Sequence, residues 1–312
     1  MSTLFNLKKE VEKPIRLTGG HRLCAGCGAG IVVAGVLRAL EEDDKAVITN
    51  ATGCLEVSTF FYPYTAYMDS FIHSAFENAG ATCSGVEAAY NALKRKGKIE
   101  DTVKFITFAG DGGTHDIGFQ SLSGAMERGH DMVYVCYDNE AYMYTGIQRA
   151  SSTPSFSQTT TSPVGSAVQG KKQIKKDLTE IMVAHNIPYV AQTAPLGNFR
   201  DLHTKARKAI YTPGACFMNI FAPCPRGWDY PMAKLAEITK LAVDSCVWPL
   251  YEVEEGEWRI TYFPKKKLPV EDYLKTQGRF SHMFQEGNEW MIEETQREVD
   301  KKWERLLARS GS

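Results

Sequence analysis

Five short apolar runs, rich in β-branched residues, recur along the chain with helically spaced stretches around them. The runs are AVITNATG (46–53), VKFITFAG (103–110), MVYVCYDN (132–139), PYVAQT (188–193) and CFMNIFAP (216–223). Before and between them, GIVVAGVLRALEE, NAGATCSGVEAAYNALKRKG, FQSLSGAMERG and NFRDLHTKARKAIY place apolar residues at i, i+3 and i+4. Alternation of this kind predicts an α/β fold, a parallel sheet flanked by helices. The runs are apolar almost throughout, as strands covered on both faces must be. In such a sheet, ligands gather beyond the carboxyl ends of the strands. The chemistry is therefore to be sought just after each run.

The 312 residues suffice for one large α/β domain or two small ones. A net charge of -1 removes any general electrostatic case for nucleic acid or an acidic membrane as partner. The opening MSTLFNLKKEVEKPIR lacks the apolar core of a signal peptide, and no apolar run is long enough to span a bilayer. A cytoplasmic location is expected. In that reducing setting, the eight cysteines are better suited to metal binding or redox chemistry than to structural disulfides.

Residues 150–172 are rich in Ser, Thr, Pro and Gly. They read equally as a flexible linker or as a loop shaping a site, because they directly follow an acidic strand end. After Val247 the chain turns aromatic, charged and punctuated by proline, and it ends in an amphipathic stretch over 288–308. The division expected is an α/β domain over 1–245 and an extension over 246–312 that packs on the body or on a partner. No internal repeat is visible.

GDGG (110–113) closes the second run. Glycines let a backbone approach a phosphate closely, and a helix N-terminus offers free N–H groups to it. Asp111 in such a place makes sense if a divalent cation stands between carboxylate and diphosphate. Taken alone, Gly-Asp-Gly is better read as a tight turn with a capping Asp. Asn139 at the end of the next run changes that reading, because it offers a second oxygen to the same ion. The pair resembles the thiamine-diphosphate fingerprint, in which Gly-Asp-Gly is answered by a later Asn. That resemblance implies the carbonyl of Ala141 as third protein ligand to Mg²⁺, with Gly110, Gly112, Gly113 and Thr114 around the diphosphate.

HRLCAGCGAG holds Cys24 and Cys27, ATGCLEV holds Cys54, and APCPRGW holds Cys224. Strand ends on one side of a parallel sheet converge, so four thiolates can meet near the diphosphate turn. Four thiolates suit Zn²⁺ or a [4Fe–4S] cluster, and spacing does not separate the two. Cys83, Cys136, Cys216 and Cys246 lie within apolar patterns and read as inert buried thiols.

Taken together, CAGCG, NATGCLEVSTFFYPYTAY, FENAGATCSGVEAAY, GDGGTHDIG, YDNEAYMYTGIQR and APCPRGW resemble the β subunits of 2-oxoacid:ferredoxin oxidoreductases of the pyruvate synthase type. The resemblance implies the diphosphate-binding half of a thiamine-diphosphate fold, with Cys24, Cys27, Cys54 and Cys224 holding one [4Fe–4S] cluster. It also implies cofactor contacts from Thr52, Cys54 and His73. Decarboxylation of a 2-oxoacid on thiamine leaves a two-electron donor, whereas ferredoxin accepts electrons singly, so a cluster close by is the chemical case for iron. In the family, an α subunit with a pyrimidine-binding domain supplies the activating Glu. A ferredoxin-like subunit or ferredoxin takes the electrons, and coenzyme A takes the acyl group if pyruvate is the substrate. The isolated chain is then expected to be inactive.

Two positions depart from the family pattern. Tyr144 stands where pyruvate enzymes usually carry an Asn that meets the substrate, and His115 follows GDGGT where a smaller residue is common. If both flank the reacting carbon, a phenol and an imidazole there favour a small dianion such as oxalate over a bulky acid. Pyruvate and oxalate are therefore both expected candidates. Two other classes fit less of the chain: a non-redox thiamine-diphosphate decarboxylase or ligase with a structural four-cysteine zinc site, and a non-catalytic cluster-bearing scaffold that docks a ferredoxin.

Overall fold

The computed structural model describes residues 6–61, 63–195 and 199–311. Tyr62 of the FFYPYTAY string and Asn198, which opens the last helical stretch before residue 211, lie outside the described residues. The strands are β1 (Lys45–Ala51), β2 (Phe60–Phe61), β3 (Tyr64–Thr65), β4 (Ser70–Ser74), β5 (Val103–Gly110), β6 (Met132–Asp138), β7 (Tyr189–Thr193), β8 (Ala215–Phe221), β9 (Tyr251–Glu254) and β10 (Glu257–Ile260). Eight of them form one sheet in the order β10-β9-β7-β8-β6-β5-β1-β4, and β2 and β3 make a separate hairpin. From β4 across to β7 every pairing is parallel. β9 and β10 add antiparallel strands at the far edge.

All five predicted runs are strands of this sheet. β6, β7 and β8 are buried at every residue, as strands covered on both faces should be. One face carries the helices Gly28–Leu37 and Phe199–Tyr211, which bury Val32, Val36 and Leu202 against Ile48, Ile106 and Met218. The other face carries Ala79–Arg95 and Phe119–Glu127, which bury Cys83, Leu122 and Met126 against Phe105, Tyr134 and Phe217. No helix among the described residues is long and apolar enough to cross a membrane.

Two expectations change. The segment after residue 246 is not merely laid on the outside, because its β9 pairs with β7 and extends the main sheet. Glu255 and Gly256 both take positive φ, 50° and 84°, which gives β9 and β10 the tight turn a two-residue hairpin needs. The helix Glu289–Ser310 then crosses back to bury Leu306 in the same core as Phe217. A boundary at 246 therefore does not separate two folding units. The stretch 150–172 is also no linker. It folds back onto the sheet edge, with Ser151 N–H donating to Asp116 Oδ2 at 2.9 Å and Thr153 Oγ1 to the Glu140 carbonyl at 2.7 Å.

Candidate active site

Four adjacent strands, β1, β5, β6 and β8, end on one edge of the sheet. In that order they deliver Thr52 to Cys54, Gly110 to Thr114, Asn139 to Ala141, and Cys224. A cleft opens there, and its lining includes Thr52, Cys54, Phe76, Asp111, Asn139 and Tyr144. The glycine stretch is not a loop ahead of a helix beginning near Ile117, as the sequence suggested. The chain turns helical at Asp111, runs through a π-helical turn over Gly113–Ile117, and continues as Phe119–Glu127. The glycines are thus the first turn, where N–H groups have no partner within the helix and face the cleft mouth. A wide π turn of this kind is frequent at functional sites.

Space explains the glycines. A Cβ at Gly112 would lie 2.6 Å from the Tyr142 ring, and one at Gly118 would lie 2.6 Å from the Gly113 carbonyl. Gly112→Ala must displace Tyr142 from its place over the turn, an overpacking that costs about 1–3 kcal/mol. A lowered melting temperature together with reduced thiamine content of the purified protein is the expected result. Unchanged values for both would show that the turn tolerates a side chain.

Three oxygens converge in the cleft. The Asn139 side-chain oxygen stands 2.9 Å from Asp111 Oδ1 and 2.9 Å from the Ala141 carbonyl. An octahedral Mg²⁺ site with bonds of 2.0–2.1 Å has an edge of about 2.9 Å. Rotating the amide by half a turn converts both contacts into hydrogen bonds, the arrangement expected when no cation is bound. Glu140 takes a positive φ of 67°, and this kink is what returns the Ala141 carbonyl to Asn139 and Asp111. A non-glycine residue in that region is strained and is tolerated where surrounding contacts enforce it.

The electrostatics also fit a cation. Asp111 is fully buried, and burial, followed by the neighbouring Asp138, pushes its carboxyl well above the usual range. It accepts from Asn139 N–H at 3.0 Å and from the Ser152 hydroxyl. Those two bonds hold it in place without neutralising it. Asp138 and Glu140 share Lys175, at 2.8 and 2.9 Å, and Glu140 also pairs with Arg279 at 2.6 Å. Burial works against the charge on Lys175, but these two carboxylates outweigh it and hold the ammonium protonated. Asp111 alone of the three acids lacks a cationic side chain at contact distance among the described residues.

Thr52 Oγ1 is 3.0 Å from His73 Nε2, so Thr52 lines the cleft and His73 braces it from behind. Thr114 spends its hydroxyl on the Gly110 carbonyl at 2.6 Å. Phe76 lines the cleft, whereas Gly80 is set by packing, since a Cβ there would meet the Ser121 carbonyl at 3.0 Å. Tyr144 sits at the cleft lip and is 60% exposed. His115 is not where the sequence reading placed it. It is wholly buried beneath the turn, with Nδ1 3.1 Å from the Asp111 carbonyl. Burial, then Lys175, pushes its pKa down to about 3. It is neutral, out of reach of a substrate in the cleft, and supplies no compensating charge.

The four cysteines gather at the same edge. A Cβ at Gly28 would lie 2.8 Å from the backbone of Ala222 and Pro223, and Gly28 N–H donates to the Pro223 carbonyl at 3.0 Å. That close approach brings Cys24 and Cys27 beside Cys224. Burial raises the Cys27 thiol to about 11 and the Cys54 thiol to about 12, and both also feel the charges of Cys24 and Cys224. Cys54 additionally feels Asp111, so the thiols and the diphosphate turn share one electrostatic neighbourhood. Four sulfurs on one Zn²⁺ would stand about 3.8 Å apart, given bonds of about 2.3 Å. Among the described residues, no three His, Cys, Asp or Glu side chains gather tightly enough to hold a single ion. Cys83, Cys136, Cys216 and Cys246 are all buried, and Cys136 lies beneath the turn, where it feels Asp138 and Asp111.

Sequence reasoning missed Ser152, Lys175, Trp228 and Arg279. Ser152 carried a signal through the polar stretch that follows the acidic strand end, and Trp228 stood in the APCPRGW string quoted for Cys224. The others act across long sequence separations that no local pattern reveals.

A parallel sheet whose strand ends offer Gly-Asp-Gly-Gly and Asn-Glu-Ala to one point defines the diphosphate-binding half of a thiamine enzyme. Residues 51–220 match the family described as thiamine pyrophosphate enzyme, C-terminal TPP binding domain. The chain is 54% identical over 285 residues to pyruvate synthase subunit PorB of Methanocaldococcus jannaschii, covering 91% of this chain and 93% of that one. With the PorB of Thermotoga maritima it shares 52% over 300 residues, covering 95% and 92%. Its fold is similar to that of the 2-oxoglutarate:ferredoxin oxidoreductase from Magnetococcus marinus, with a TM-score of 0.57, 22% identity, and 73% of this chain and 78% of that chain covered. The chain belongs to the β subunits of the 2-oxoacid:ferredoxin oxidoreductases.

Proposed function

We propose that this β subunit binds thiamine diphosphate through Mg²⁺ and passes electrons from a small 2-oxoacid, pyruvate or oxalate, through a [4Fe–4S] cluster to ferredoxin. The observation that carries the reading is the oxygen triad of Asp111, Asn139 and Ala141 lying beside four mutually interacting thiols. Asp111 Oδ1, the Asn139 amide oxygen and the Ala141 carbonyl hold the cation, and the N–H groups of the first helical turn hold the diphosphate. Bound thiamine diphosphate supplies the carbon nucleophile and the electron sink for decarboxylation. Cys24, Cys27, Cys54 and Cys224 hold the cluster, with Cys54 nearest in chain and charge to the cofactor cleft. Phe76, Tyr142 and Met143 wall the cleft.

The pyrimidine-binding domain and its activating Glu come from an α subunit, so the isolated chain is inactive and the cofactor lies at an interface. Coenzyme A enters if the substrate is pyruvate. For oxalate both carbons leave as CO₂, and no acyl acceptor is needed. The high identity with pyruvate synthase subunits supports pyruvate, and Tyr144 at the lip supports a smaller, more polar acid. Because His115 is neutral and enclosed, the case for a dianion rests on Tyr144 and on the partner chain.

Assay of the assembled complex with pyruvate, oxalate, 2-oxobutyrate and 2-oxoglutarate, with and without coenzyme A, tests this. No ferredoxin reduction with any of them would sink the reading, and zinc in place of iron and sulfide would favour a non-redox thiamine enzyme. Tyr144→Asn is expected to shift the preference towards pyruvate by about tenfold, the discrimination of one good polar contact or about 1.4 kcal/mol. Unchanged substrate ratios would remove Tyr144 from selectivity.

A further inference from the structure

We propose that Arg279 is a positioning residue for electron transfer, a fixed buried cation that raises the reduction potential of the cluster held by Cys224. The inference rests on the cluster reading above. Cys224 opens the short helix Pro225–Trp228, and its sulfur accepts from Gly227 N–H at 3.3 Å. Trp228 closes that helix, is wholly buried, and donates its indole N–H to the Asn139 carbonyl at 2.7 Å. One rigid ring therefore ties the cysteine segment to the cation-binding turn.

Arg279 lies 3.8 Å over the face of that ring. Its Nε donates to Gln277 Oε1 at 2.9 Å, and one terminal nitrogen donates to Glu140 Oε2 at 2.6 Å. The other terminal nitrogen, Nη1, is buried without a partner. Arg279 as a whole is 4% exposed. An unsatisfied buried guanidinium nitrogen is costly and calls for an explanation. An anionic group beside the Trp228 ring provides one. Arg279 lines one cavity with Gly227, whose N–H bonds the Cys224 sulfur.

Adding an electron makes a four-thiolate cluster more negative. A buried cation nearby stabilises the reduced form more than the oxidised one, because the interior screens charge weakly. Glu140 offsets part of this effect from the opposite side of the guanidinium.

The test uses the assembled, anaerobically purified complex and a redox titration followed by electron paramagnetic resonance. The relevant signal is the one that Cys224→Ala removes. In Arg279→Met the reduced-to-oxidised ratio at a fixed solution potential should fall about tenfold, a shift of about 59 mV for one electron. Arg279→Lys should keep the ratio within about threefold, and Glu140→Gln should raise it. Iron present with an unchanged ratio in Arg279→Met overturns the inference alone. Equal losses in the Met and Lys variants would mark a packing role and also overturn it. If Arg279→Met loses its iron, Glu140→Gln decides, and no upward shift there refutes the inference. A wild-type complex without iron would remove the cluster reading itself.

Discussion

Asp111→Asn is expected to strip the purified complex of Mg²⁺ and thiamine diphosphate while leaving its iron in place. The substitution keeps size and shape and keeps one oxygen to accept from Asn139 N–H or Ser152. It removes only the negative charge that a divalent cation needs. Loss of a residue one step removed from a metal typically costs 10–100-fold in affinity, so loss of a charged ligand should cost at least about 100-fold. Activity should fall below detection at ordinary Mg²⁺ concentrations. The same change should not lower the melting temperature of the metal-free protein. Asp111 is buried beside Asp138, and its carboxylate is disfavoured there by both, so a neutral amide relieves a penalty that only the cation otherwise offsets. Metal analysis, thiamine content and thermal unfolding check the three statements separately. Full thiamine content in the variant would refute the assignment of the turn.

What the sequence disclosed follows from how far each interaction reaches along the chain. The five strands were legible because each is an apolar run with few polar interruptions, and β6 and β8 needed no partner to be recognised. β4 was not, since SFIHS alternates too weakly and ends at His73 and Ser74 in an edge strand with one covered side. β9 and β10 were hidden in the aromatic, charged segment after residue 246, where four-residue strands give too little periodicity to read. The residues proposed to hold Mg²⁺ could be named because the fingerprint places them at two adjacent strand ends. The charge network behind them could not be, because Lys175, Trp228 and Arg279 reach Asp138, Asn139 and Glu140 only once β6 and β8 lie side by side. His115 was misplaced for a related reason. A residue four positions past Asp111 in a helical turn points back under that turn, and a loop reading of the glycines had aimed it at the cleft.

Cys224→Ala separates the two centres from the other side. Iron and sulfide at this site should fall to near nothing, while Mg²⁺ and thiamine diphosphate stay at wild-type levels. The retention is expected because Trp228 keeps its bond to the Asn139 carbonyl, and Asp111, Asn139 and Ala141 are untouched. The sulfur also caps its short helix through Gly227 N–H, so a loss of about 1 kcal/mol in stability should accompany the change. Ferredoxin reduction should fall by at least about a hundredfold, or about 2.7 kcal/mol of added barrier, because electrons leaving the cofactor lose their first acceptor. Cys136→Ala provides the contrast, since that thiol is enclosed in β6 and its removal should leave iron content alone. Were the four sulfurs a structural zinc site, Cys224→Ala would release zinc and weaken the fold without a selective effect on electron transfer. Iron analysis, thiamine content and ferredoxin reduction on one preparation therefore distinguish a redox centre from a staple. The decisive ratio is that between lost electron transfer and retained thiamine, which only a cluster lying on the path of the electrons makes large.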